Sequence, residues 1–107
     1  MDKLPVIFRA ERSGQFKGQV TAVFPTQPGT NSPATFTVYA HIGQHGSGSL
    51  DWYRTTRPAS DAESAPLLAE LRGIYGRSLG GEAPVELVPC KRITAKHTAA
   101  LLAELRR

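Results

Sequence analysis

Apolar residues alternate with polar ones in the first half of the chain. In the second half they recur at three- and four-residue steps, so strands should come first and helices later. Residues 4–9 are a short apolar run rich in β-formers, and the Ser13-Gly14 and Lys17-Gly18 steps separate them from residues 19–24. In that second run Val20, Ala22 and Phe24 share one face, and Thr21 and Val23 share the other. A first hairpin follows, with Gln15 and Lys17 near its tip, and Pro25 should end its second strand. Residues 26–33 are turn formers. Residues 34–42 alternate most cleanly, with Phe36, Val38, Ala40 and Ile42 opposite Thr35, Thr37, Tyr39 and His41. This pattern predicts a strand with its apolar face in the core and its Thr-Thr-Tyr-His face available for contact.

The period then changes. Ser60 and Glu63 have capping-box spacing, and Leu67, Leu68, Leu71, Ile74 and Tyr75 follow at helical steps. Pro66 conflicts with an uninterrupted helix: either the first turn bends there or the helix starts nearer Ser64. Beyond Gly80-Gly81, residues 85–93 predict a strand that Pro89 should confine to an edge or a bulge. Thr94 can cap a last helix with Leu101, Leu102 and Leu105 as its stripe. Residues 67–72 and 101–106 are identical, but the residues between the copies do not repeat, which excludes a solenoid. The order β-β-β-α-β-α predicts one α+β domain over residues 1–107. Its sheet should be mainly antiparallel, of about four strands, with two helices packed on one face.

Composition narrows this picture. In 107 residues, 40% hydrophobic and 21% charged, a single core is expected. The one cysteine, Cys90, excludes an internal disulfide framework and a cysteine-clustered zinc site. The apolar runs are too short to cross a bilayer, and residues 1–5 lack the apolar stretch of a secretory signal, so a cytoplasmic location and no membrane partner are expected. The formal charge of +4 is compatible with an anionic partner.

Candidate chemistry gathers in residues 41–57, which hold His41, His45 and the only tryptophan, Trp52. Gly43, Gly46 and Gly48 predict a loop whose backbone can approach a ligand closely. Ser47 and Ser49 add hydroxyls, Gln44 an amide, and Arg54 and Arg57 planar charged forks suited to phosphate. Trp52 and Tyr53 offer stacking surfaces, and Tyr39, His41, His45 and Thr55 complete the expected ligand-binding set. No Gly-Lys-Ser/Thr follows the glycines, so this is not a Walker loop. His41 and His45 have the i, i+4 spacing of a zinc helix. However, the glycines oppose a helix and Ile42 stands in the glutamate's place, so neither a metal nor a cofactor is expected. No nucleophile-plus-base signature accompanies the histidines, so no catalytic residue is assigned. Lys91, Arg92 and Lys96 form a second basic cluster, and Arg9, Arg12 and Lys17 lie near the first hairpin.

These same residues carry a resemblance. Thr21-Ala22-Val23-Phe24-Pro25, Tyr39-Ala40-His41-Ile42-Gly43-Gln44-His45, Trp52-Tyr53 with Thr55-Thr56, and Pro58-Ala59 resemble elements of a group of small bacterial, phage and mobile-element proteins. Glu63, Leu67, Glu70-Leu71, Tyr75 and Lys91-Arg92-Ile93-Thr94 extend it over residues 4–94, with Pro66 and Gly80-Gly81 as departures. The group has no established activity and therefore supplies no residue roles. The resemblance implies a phage or mobile-element setting, where small proteins act by binding host components or their signals. The sequence therefore predicts a small non-catalytic protein that binds an anionic ligand, a nucleotide, nucleotide signal or nucleic-acid segment, through residues 41–57. The alternative is a phage-type inhibitor of a host protein in a defence or nucleic-acid-handling complex. A phosphate-directed enzyme using His41 and His45 is the third reading.

Overall fold

The computed structural model describes residues 2–29, 35–40, 44–75 and 85–105. The chain is α+β, built from strands β1 (Asp2–Glu11), β2 (Val20–Pro28), β3 (Thr35–Ala40), β4 (Gln44–Ser49), β5 (Thr56–Pro58) and β6 (Val85–Cys90). Three helices accompany them: α1 (Leu50–Thr55), α2 (Asp61–Tyr75) and α3 (Ala95–Leu105). The sheet runs β4-β3-β2-β1-β5, with β6 also on β1. The six strands and three helices exceed the four and two expected, because residues 44–58 form a strand, a helix and a further strand instead of a loop.

The strand β1 is the hub. One edge pairs antiparallel with β2, bringing Ile7 opposite Val23. The other edge is shared: residues 2–7 pair in parallel with β6, and residues 9–11 pair antiparallel with β5. Pro89 sits in β6, which pairs with no second strand among the described residues, as an edge proline requires. The turn after β1 closes with Gly18 N–H donating to the Glu11 carbonyl at 2.9 Å. Gly14 and Gly18 there have φ of 84° and 86°, a region that side chains disfavour. Pro25 does not end β2. The strand continues to Pro28, and Phe24 and Pro28 face the adjacent residues Thr37 and Phe36, so residues 25–27 bulge out of register.

Both faces of the sheet are covered, where one was expected. On the first face Leu4, Val6, Phe8, Ala22, Phe24, Tyr39 and Leu87 pack with Leu67 and Leu71 of α2. On the second, Ile7, Val23 and Phe36 pack with Trp52 and Tyr53 of α1, and with Ile93 ahead of α3. An unbroken apolar run such as residues 4–8 serves a strand buried on both sides. Tyr39 therefore belongs to the core and not to a contact face. It is 3% exposed, and its hydroxyl donates to Glu70 of α2 at 2.5 Å. That bond to a carboxylate holds the phenol's pKa above its ordinary value, with burial adding to the effect.

Helix α2 begins where the capping box places it. Glu63 N–H donates to Ser60 Oγ at 3.1 Å, and Ser60 N–H donates to Glu63 Oε1 at 2.9 Å. The helix runs from Asp61 through Pro66 without a later start. A proline there costs about 3 kcal/mol. Burial of Leu67 and Leu71 just beyond it, at about 1.5–3 kcal/mol each, offsets that cost. Helix α3 has an unusual box: His97 N–H donates to Thr94 Oγ1, and Thr94 N–H donates to His97 Nδ1, both at 3.2 Å. Histidine thus fills the place usually held by glutamate or glutamine. Among the described residues no helix is long and apolar enough to cross a membrane.

Candidate functional site

The glycine-containing strand β4 pairs with β3 along its whole length, from Ala40 opposite Gln44 to Thr35 opposite Ser49. Each glycine weakens a strand by about 0.5–1 kcal/mol relative to alanine. The ladder to β3 overrides that local preference. Gly48 is required by packing: a Cβ there would lie 2.9 Å from Val38 Cγ1, 3.1 Å from Trp52 Cε3 and 3.2 Å from Phe36 Cε2. The backbone is bare at this point so that the molecule's own indole can cross it.

Ser49 then starts α1, its Oγ accepting from Trp52 N–H at 3.1 Å. The helix holds Trp52 half-buried, with Nε1 donating to Glu11 Oε1 at 3.1 Å. Tyr53 turns toward Phe36 in an edge-on contact with 6.2 Å between ring centroids. Thr55 Oγ1 donates back to the Trp52 carbonyl at 2.6 Å. Arg54 is 70% exposed and 3.9 Å from Asp51.

Beside Trp52 opens a groove of about 510 Å³ over the second face of the sheet. Thr21, Val38, Ala40 and Gly48 line its floor, and Phe16 of the β1–β2 turn lines it with Trp52. Phe16 is 60% exposed, the largest exposure among the described bulky apolar residues. Ser47 and Ser49 lie along the β4 side, and Glu11 is the one charged residue in the lining.

The structure brings Ser47, Ser49 and Trp52 of the expected set to this groove, and Tyr39, Tyr53, Arg54, Thr55 and Arg57 do not line it. Tyr39 lies in the core of the opposite face. His41 lies outside the described residues, as do the side chains of Gln44 and His45. Arg57 is held by Glu63 through two bonds, Nη1 to Oε1 at 2.8 Å and Nη2 to Oε2 at 2.7 Å. This pair, with the Ser60 N–H bond behind it, lowers the Glu63 pKa from 4.5 to about 2 and raises that of Arg57. Lys91 stands 4.0 Å from Asp61, so Arg57 and Lys91 both meet acids of the first turn of α2. Lys96 lies apart, beside Lys3 and His97, and Arg92 is exposed.

Arg9 is the residue whose importance the sequence pattern underplays. It is 8% exposed, with Nε donating to Thr56 Oγ1 at 2.8 Å and Nη2 donating to the Thr56 carbonyl at 2.7 Å. Its guanidinium carbon lies 4.2 Å from the centre of the Tyr53 ring. A charge inside an otherwise apolar strand was the available signal. Among the described residues no group of three histidine, cysteine, aspartate or glutamate side chains is placed to hold a metal. No family model, curated protein or solved structure matches the chain.

Proposed function

We propose that the protein is a small non-catalytic binding protein that docks an extended segment of a partner protein in the groove between Phe16 and Trp52. The observation that carries this reading is the exposed Phe16 lining the same groove as the half-buried Trp52. Exposed aromatics beside such concavities are typical anchors of protein interfaces. The neighbouring strand β4 supports it, being an edge with no second partner among the described strands. With Glu11 as the only charge in the lining, the segment is apolar and neutral or basic in character. In the phage or mobile-element setting that the resemblance implies, the partner is a host protein.

Selection of random peptides on the wild-type protein tests this. Selected peptides should change the emission of Trp52 and bind at least about tenfold more weakly to Phe16→Asp and Ala40→Arg. Peptides indifferent to both substitutions would refute the groove, as would nucleotides that shift Trp52 emission where peptides do not.

A further inference from the structure

A second binding feature lies at the end of α1 and does not depend on the groove. Arg9 Nη2 and Arg12 Nε donate to the same oxygen, the Thr56 carbonyl, at 2.7 and 3.1 Å. Two permanently charged guanidiniums thus sit within a few ångström of each other on a neutral acceptor. Arg9 is buried, and its other partners are the Thr56 hydroxyl, the Tyr53 carbonyl at 3.4 Å and the Tyr53 ring. The nearby carboxylates are engaged elsewhere: Glu11 by the Trp52 indole, Glu63 by Arg57, and Asp51 beside Arg54. Among the described residues no carboxylate lies within 4.0 Å of Arg9 or Arg12.

The hydroxyl and carbonyl of Thr56, the C-cap residue of α1, together with the Tyr53 carbonyl, account for Nε and Nη2 of Arg9 and for Nε of Arg12. They leave Arg9 Nη1 and both terminal nitrogens of the exposed Arg12 without a protein hydrogen bond among the described residues. A buried cation without a counter-charge is unfavourable, and an oxyanion shared by two guanidiniums relieves it. We propose that Arg9 and Arg12 form a binding site for a phosphoryl group, the Thr56 carbonyl holding the two guanidiniums together. A phosphoryl group offers three terminal oxygens to the remaining N–H groups of two guanidiniums, whereas a carboxylate offers two. The site uses neither Arg54 nor Arg57.

The test is a melting-temperature titration with inorganic phosphate, against acetate and chloride at matched ionic strength, on wild type, Arg12→Gln and Arg12→Lys. The Nε–H signals of the arginines are followed by NMR in parallel. Arg12 is exposed, so both variants should fold as wild type does. Phosphate should raise the melting temperature above either control. The apparent Kd should weaken about tenfold in Arg12→Gln and less in Arg12→Lys, while the Nε–H signals of Arg9 and Arg12 move together. A phosphate effect equal to that of chloride or acetate would overturn the proposal. So would a rise preserved in Arg12→Gln, or an Arg12 signal that moves while that of Arg9 stays fixed. Repeating the titration with a mononucleotide and with a short oligonucleotide tells a free phosphate from a nucleotide or a backbone phosphate as the source of the group.

Discussion

The Trp52 indole occupies the space that a side chain at Gly48 would need, its Cε3 lying 3.1 Å from the position of a Cβ. Gly48→Ala must therefore displace the indole, Val38 or Phe36. Overpacking of this kind costs about 1–3 kcal/mol. The expected result is a lower melting temperature and a red shift in the emission of the protein's single tryptophan. Gly46→Ala is the control, because its nearest neighbour, Val38 Cγ2, would be at an ordinary 3.8 Å.

Tyr39 separates a core role from a contact role. Its ring is buried against α2, so Tyr39→Ala should cost about 3–5 kcal/mol in chemical denaturation. Tyr39→Phe keeps the ring and loses the hydroxyl's bond to Glu70, which is worth about 0.5–1.5 kcal/mol. Equal effects of the two substitutions would contradict the burial.

Acid should unfold the protein partly through Glu63. Its folded pKa of about 2 lies below the ordinary 4.5, so the ionised carboxylate favours the folded state. That contribution is complete above the unfolded value and disappears as pH falls through the window from 4.5 towards about 2. Glu63→Gln should flatten the stability-against-pH curve in this window and leave its shape near neutrality unchanged. An unaltered acid limb in the variant would show that the Arg57 pair adds nothing to folding.

At α3, His97→Ala should remove the acceptor for Thr94 N–H and lower stability by about 1 kcal/mol. Glutamine at this position can reach back to the same N–H, so His97→Gln should recover most of the loss. Amide exchange at Thr94 is the direct measurement, and a rate unchanged in His97→Ala would argue against the box.

What the sequence made legible was local. The Ser60–Glu63 box, the Thr94 cap, the glycine-bearing turn after β1 and the edge position of Pro89 all follow from short-range chemistry. The misread features depend on distant partners. Residues 44–49 have weak strand preference, and their pairing is decided by β3. Tyr39 looks polar in an alternating pattern until α2 supplies Glu70. Arg57 looks like a free phosphate fork until Glu63 meets it across the start of α2. Of the expected site, the part on short side chains and the indole reached one groove, because β4 and α1 are consecutive along its rim. Arg9 and Arg12 were visible as charges, but their convergence on Thr56 needed the β1–β5 register.

The divided outer edge of β1 sets the timing of folding. Residues 2–7 receive their parallel partner only from residues 85–90, almost the full described length away. On the ribosome, the hairpin with β2 can form early, while the N-terminal half of β1 waits with open amides and carbonyls until most of the chain has emerged. High contact order of this kind slows folding, and it leaves an aggregation-prone edge on the nascent chain in the meantime. Chains truncated after Tyr75 should therefore retain the hairpin yet associate through the strand that β6 would have covered.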